Sequence, residues 1–213
     1  MSSQLQIRLF GSLEIRLNDA TLANFMSNKA PALLAYLALN PRPQQRDALA
    51  TLLWSEMSDA DAKNNLRQVL TNLRKLVDPH LVVTRDTIGF NREAPYSLDV
   101  EDFERHLQKS RKQEGAERAE ALQQATTLYA GEFLAGFFLR EAPEFEEWML
   151  AHRARLRELA LHALHQLTQL EMAQGHFAQA IDSSSRSLAI DPWREEAHRQ
   201  LMLALARSGQ RSA

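Results

Sequence analysis

The stretch from Asp59 to Val77 narrows the folding options more than any other part of this chain. Leu66, Leu70, Leu73 and Val77 recur at helical spacing, a narrow apolar stripe that must be buried against a core. At about 100° per residue, the opposite face carries Asn64, Gln68, Thr71, Asn72 and Lys75, flanked by Lys63, Arg67 and Arg74. Ser58 or Asp59 can cap this helix, and Asp59 and Asp61 sit where the helix dipole favours acids. Upstream, residues 5–10 and 13–17 alternate with period two around Gly11-Ser12, which predicts an antiparallel hairpin. Residues 30–39 and 46–54 predict two further helices, the first stopped by Asn40-Pro41 and Pro43. Downstream, residues 81–84 and 88–90 flank Arg85-Asp86-Thr87, a second hairpin with a polar, partly basic tip.

From Val100 onward the period is helical, so the predicted boundary divides a domain of residues 1–98 from one of 99–213. Residues 101–111 and 117–129 predict two helices separated at Gly115, and residues 129–138 an aromatic, glycine-punctuated connector. Pro143 can open a long helix reaching about Gln174. Gly175 and Gly209 lie 34 residues apart, and at the same offset Leu167 matches Leu201 and Ala163 matches Ala197. With Ala180 and Asp191-Pro192 in place, this is the period of a tetratricopeptide helix pair. In that register Ala213 stands at the start of the next repeat's second helix, so the array is expected to continue past it.

Overall charge is −2, yet residues 1–98 carry 11 Lys/Arg against 9 Asp/Glu, and residues 99–213 carry 14 against 18. Between Lys63 and Lys75 there are four bases and no acid. A local basic face on a mildly acidic chain is what a helix that reads DNA needs. The absence of cysteine excludes disulfides, thiol catalysis and cysteine-based zinc sites. With no apolar run of about 18 residues and no leader pattern at the N-terminus, the expectation is a cytoplasmic protein with no membrane partner. There is no phosphate-cradling Gly-Lys-Ser/Thr loop and no Gly-x-Ser-x-Gly elbow. Ser183-Ser184-Ser185 reads as a helix face, and His162, His165 and Glu158 lack a second cluster with which to hold a metal. Glu144, Glu146 and Glu147 sit at a helix start, where acids need no catalytic reason. The chain is therefore expected to be neither an enzyme nor a holder of a cofactor.

A small sheet, three helices and a terminal hairpin make an α+β winged helix-turn-helix, here followed by an all-α tetratricopeptide-like repeat domain. In such a fold the last helix enters the major groove of double-stranded DNA and the hairpin reaches the backbone. Asn and Gln pair with adenine, and Lys or Arg with guanine, which assigns Gln68, Thr71, Asn72 and Lys75 to base edges. Lys63, Arg67, Arg74 and, in the wing, Arg85 are assigned to phosphates. The competing reading is a helical-repeat adaptor whose winged helix binds protein instead of DNA.

The run from Ala62 to Leu76, with Asn64, Leu66, Val69, Leu73, Arg74 and Lys75, resembles the recognition helix of the Streptomyces antibiotic regulatory protein (SARP) family. Ile7-Arg8-Leu9-Phe10-Gly11-Ser12, the Lys29 helix and Gly89-Phe90 in the wing are similar to that family too. Asp102-Phe103-Glu104, residues 129–134, Glu147-Trp148 and the repeat at residues 175–192 resemble its bacterial transcriptional activator domain. The resemblance implies an activator that binds promoter direct repeats, as a homodimer or side by side, and contacts RNA polymerase. It nominates Ser55, Glu56, Met57 and Ser58 as the polymerase-facing loop. Two departures stand out: Asn72 replaces the family's usual Arg, and Asn91 to Pro95 intervene before Tyr96. With no receiver domain expected before the winged helix, phosphorylation-driven dimerisation is not the expected switch, and longer members of the family place a nucleotide-binding module after the helical domain.

Overall fold

Alternating residues become strands where the period predicts them. In the computed structural model, which describes residues 4–209, β1 (Leu5–Arg8) and β2 (Glu14–Leu17) pair antiparallel with Ile7 opposite Ile15. Asn18 and Asp19, both left-handed, turn the chain into β3 (Ala20–Thr21). Three helices follow: α1 (Lys29–Leu39), α2 (Arg46–Trp54) and α3 (Asp59–Val77). On α1, Ala30, Ala32, Leu33, Leu34, Ala35, Leu37 and Ala38 are all buried, which makes it the central helix of its unit. The buried face of α3 is wider than the four-residue stripe, because Ala62 and Val69 join Leu66, Leu70, Leu73 and Val77 against α1 and α2. Ser58 caps α3: its Oγ accepts from the Asp61 backbone N–H at 3.3 Å and lies 2.6 Å from the Asp61 carboxylate.

The wing is a three-stranded sheet. Here β4 (Gln44–Gln45), β5 (Leu81–Val83) and β6 (Thr87–Phe90) run in the order β4-β6-β5. At its tip the Thr84 hydroxyl oxygen accepts from the backbone N–H groups of Asp86 and Thr87, at 3.3 and 2.9 Å. The intervening Asn91 to Pro95 segment leads to β7 (Tyr96–Leu98), which lies parallel to β1 and completes the order β3-β2-β1-β7. Asp99, the first residue of α4 (Asp99–Ser110), then ties the chain back. Its carboxylate accepts from the N–H groups of Leu9, Phe10 and Val100 at 2.8–3.0 Å, while burial pushes its pKa up. Arg92 fixes the same corner, donating to Glu101 at 2.5 Å and to the Ala38 carbonyl at 2.7 Å.

Two compact units emerge, and they do not follow a single cut at residue 98. The first holds the residues up to Glu101 together with Phe133–His152. That second piece, which the sequence places in the helical domain, docks onto the first sheet. Leu134 N–H donates to the Leu9 carbonyl at 2.7 Å, and Ala135 N–H to that of Gly11 at 2.8 Å. Aromatic packing reinforces the docking, with Trp148 5.0 Å from Tyr36 and 5.8 Å from Phe133 by ring centroids. Local periodicity carries no information on such distant pairings, which is why residues 129–138 read as a connector and the helix from Pro143 as part of the helical domain alone.

The second unit holds Asp102–Glu132 and the residues from Arg153 on. It is built from α4, α5 (Gly115–Leu128), most of α6 (Pro143–Ala173), α7 (Phe177–Ile190) and α8 (Glu195–Arg207). Gly175 and Gly209, predicted as equivalent points of the 34-residue repeat, both adopt the left-handed conformation just past a helix. Small buried residues bring α7 close to its neighbours: Ala180, Ser183, Ser184 and Ser187, with Ser184 Oγ satisfied by the Ala180 carbonyl at 2.6 Å. The triple serine is thus largely a packing face. The expected continuation of the repeat beyond Gly209 falls on residues 210–213, outside the described residues. No described helix is long and apolar enough to cross a membrane.

Candidate nucleic-acid interface

The exposed surface of α3 begins with its capping geometry, since Ser58 sets the rotational start of the helix. Lys63, Asn64, Arg67, Gln68, Thr71, Arg74 and Lys75 are all exposed along it. At about 100° per residue they fan across slightly less than half of the helix circumference, with Lys63, Arg67 and Arg74 on one edge. Gln68 and Lys75 occupy the opposite edge, and Thr71 lies centrally with its hydroxyl turned back to the Arg67 carbonyl at 2.9 Å.

Asn72 stands apart from the other predicted base readers. It is half-buried, its Oδ1 accepts from the Met26 N–H at 3.2 Å, and its Nδ2 donates to the Asn24 carbonyl at 3.4 Å. Its amide is thus engaged by the loop between β3 and α1, on the side of the helix that turns toward the core. A residue at the margin of an amphipathic face can serve either side, and sequence spacing alone does not say which.

The predicted phosphate binders divide into two groups. Lys63, Arg67 and Arg85 converge with Arg46 on a concave pocket of about 230 Å³, also lined by Gln45, Asp47, Leu66 and Asp86. The first residue of α2, the first half of α3 and the wing tip therefore meet at one place. Lys63 pairs with Asp47 at 3.1 Å, whereas Arg67 and Arg85 form no ion pair among the described residues. Arg74 lies further along α3 and pairs with Asp78 at 3.2 Å, one turn on.

Arg46 is the member that sequence reasoning missed. Its backbone N–H donates to the Asp86 carbonyl at 2.9 Å and its guanidinium to the Thr84 carbonyl at 3.3 Å, so it braces the wing against α2. A signal was present: a cation at the first position of a helix opposes the macrodipole and needs a compensating reason. The nominated loop shows mixed exposure. Glu56, Met57 and Ser58 are exposed, Ser55 is half-buried, and Met57 Sδ accepts from Asn65 Nδ2 at 3.2 Å. His162 and His165 pair with Gln166 and Gln169 one turn on, and no cluster able to hold a metal occurs among the described residues.

Residues 98–213 match the family described as the bacterial transcriptional activator domain. Over 99% of its length the chain is 28% identical to the regulatory protein AfsR of Streptomyces coelicolor, of which it spans 21%. It is 32% identical over 101 residues to the transcriptional regulatory protein EmbR of Mycobacterium bovis, covering 45% of this chain and 26% of EmbR. A solved structure of Mycobacterium tuberculosis EmbR in complex with a low affinity phosphopeptide superposes with a TM-score of 0.75 at 22% identity. That superposition covers 98% of this chain and 56% of the other, and at such identity it speaks for the fold.

Proposed function

The chain belongs to the bacterial transcriptional activator domain family of SARP-type regulators, and from that premise we propose that it binds DNA sequence-specifically and activates transcription. The observation that carries this reading is the convergence of Arg46, Lys63, Arg67 and Arg85 on one pocket beside the exposed face of α3. Four cations on three elements match the requirement for holding phosphates, which fixes a protein's register on a duplex without reading its sequence. Gln68, Thr71 and Lys75 then lie along the helix that enters the major groove, where amide and ammonium groups discriminate bases. Asn72, through the loop it holds, positions α3 and does not itself reach a base. Arg74 supplies a further phosphate contact once its pairing with Asp78 gives way. The role is regulatory and not catalytic, it is exercised in the cytoplasm, and residues 1–98 and 99–213 serve as DNA-binding and activator domains.

Binding to promoter direct repeats as side-by-side copies, with the Ser55–Ser58 loop turned toward RNA polymerase, completes the proposal. An electrophoretic shift on genomic duplex at about 50 and 200 mM salt tests it, because neutralising several phosphates makes affinity fall by orders of magnitude over that range. Footprinting on the gene's own upstream region then locates the repeats. No shift at low salt would turn the reading to the protein-binding adaptor.

A further inference from the structure

The basic pocket belongs to the proposed DNA interface, but the same unit carries a surface of opposite character. An open cleft of about 690 Å³ is lined by Phe138, Leu139, Ala142, Pro143, Leu150 and Ala151, with Glu56, Glu141, Glu146 and Glu147 around it. Phe138 is 62% exposed and Leu150 55%, so two large apolar side chains face solvent within one concavity. Isolated exposed apolar residues are ordinary, whereas a contiguous patch rimmed by charge is the form of a binding surface.

The rim sets the sign of what fits. All four charged residues lining the cleft are acids, and none is a base. Glu146 is held in place by the Leu139 N–H, which it accepts at 2.8 Å, and Glu141 is fixed in a left-handed conformation costly to a non-glycine residue. Two cations lie nearby. Lys29 feels Glu141 and Glu56, but its ammonium sits 5.1 Å over the Trp54 ring and does not line the cleft. Arg140 is exposed at the chain position before Glu141 and does not line the cleft. An anionic lipid surface or a nucleic acid would be repelled here. A cationic helix is not, since apolar side chains at i, i+3, i+4 and i+7 fill such a groove while flanking Lys or Arg meet the acids.

We propose that this acid-rimmed apolar cleft docks a cationic amphipathic helix of a partner protein. The proposal rests on the reading of the chain as a regulator that must touch another protein, not on DNA binding. Glu56 belongs to both the cleft and the loop nominated for partner contact, so that loop gains a defined chemistry. Phe138 and Leu150 act as the anchors, and Glu141 and Glu147 select for positive charge.

The test uses the full chain and two fluorescein-labelled 18-residue helical peptides, one of Leu and Lys, the other of Leu and Glu at identical spacing. By fluorescence anisotropy the Lys peptide should bind with salt-sensitive affinity, and the Glu peptide at least about tenfold more weakly. Phe138→Ser combined with Leu150→Ser should weaken the Lys peptide about tenfold or more. Glu141→Lys combined with Glu147→Lys should do the same while improving the Glu peptide. Because these side chains are largely exposed, thermal midpoint and DNA shift should match the unmodified chain, which separates this proposal from DNA reading. Equal binding of both peptides, or variants that bind the Lys peptide unchanged, would overturn it. So would sedimentation showing a dimer lost only in Phe138→Ser/Leu150→Ser, or phosphatidylcholine vesicle binding lost only in that variant. The first would assign the cleft to a second copy, the second to a membrane.

Discussion

Arg67→Ala tests the pocket directly, because the side chain is exposed, forms no ion pair among the described residues, and leaves its backbone role on α3 intact. If Arg46, Lys63, Arg67 and Arg85 each neutralise one phosphate, log K should fall against log salt with a slope of about −3.6, from about −0.9 per phosphate. Between 50 and 200 mM salt that is a loss of about 150-fold per bound chain. Removing Arg67 lowers the slope to about −2.7, so the same salt step costs about 40-fold, and the variant is weakest relative to the parent at low salt. Lys63→Ala should change the slope less, since its ammonium is already shared with Asp47 at 3.1 Å. Fluorescence anisotropy on a specific and a scrambled duplex, titrated at four salt concentrations, reads both quantities. An unchanged slope, or a loss confined to the specific duplex, would refute the assignment of Arg67 to phosphate.

Asn72→Ala should lower stability by about 1 kcal/mol, through two partly exposed hydrogen bonds to the loop before α1, and should weaken all duplexes alike. Relaxed preference at a single base pair, seen by competition with a mutated-site panel, would return Asn72 to base reading. Asp99→Ala removes the acceptor for the N–H groups of Leu9, Phe10 and Val100 and should cost about 3 kcal/mol in urea denaturation, a loss below 1 kcal/mol contradicting the tie. Glu171 is buried and its pKa is raised above the ordinary 4.5, chiefly by burial and against a hydrogen bond from Ser183. The stability linked to this group is therefore full below about pH 4.5 and is lost as pH rises through the raised folded value. Glu171→Gln should gain on the parent between pH 4 and 7, and a stability difference independent of pH would count against it.

What the sequence disclosed and withheld follows the range of the interactions. Both hairpins and the eight α-helices of the described residues were legible, because alternation and the 3.6-residue period are local. The cap at Ser58 and the paired glycines at 175 and 209 were legible for the same reason. By contrast, β7 pairs with β1 across most of the first unit, and neither strand announces its partner. The docking of residues 133–152 and the bracing role of Arg46 depend likewise on contacts far apart in sequence. Asn72 fell between these cases: helical spacing set it with the exposed face of α3, whereas it stands half-buried at the margin of that face, and the loop that captures its amide was invisible.

The interleaving of the two compact units bears on how the chain is made. The first unit is left incomplete when Glu101 leaves the peptidyl-transferase centre, because Phe133 and Trp148 are still to come. At about 5–20 residues per second, synthesis needs about 2–9 s to supply them. Throughout that interval the docking site at Leu9 and Gly11, and the face of Tyr36, stand uncovered on the nascent chain. Rare codons over residues 102–152 would lengthen this exposure, and a chaperone able to shield an exposed apolar segment has its natural window there.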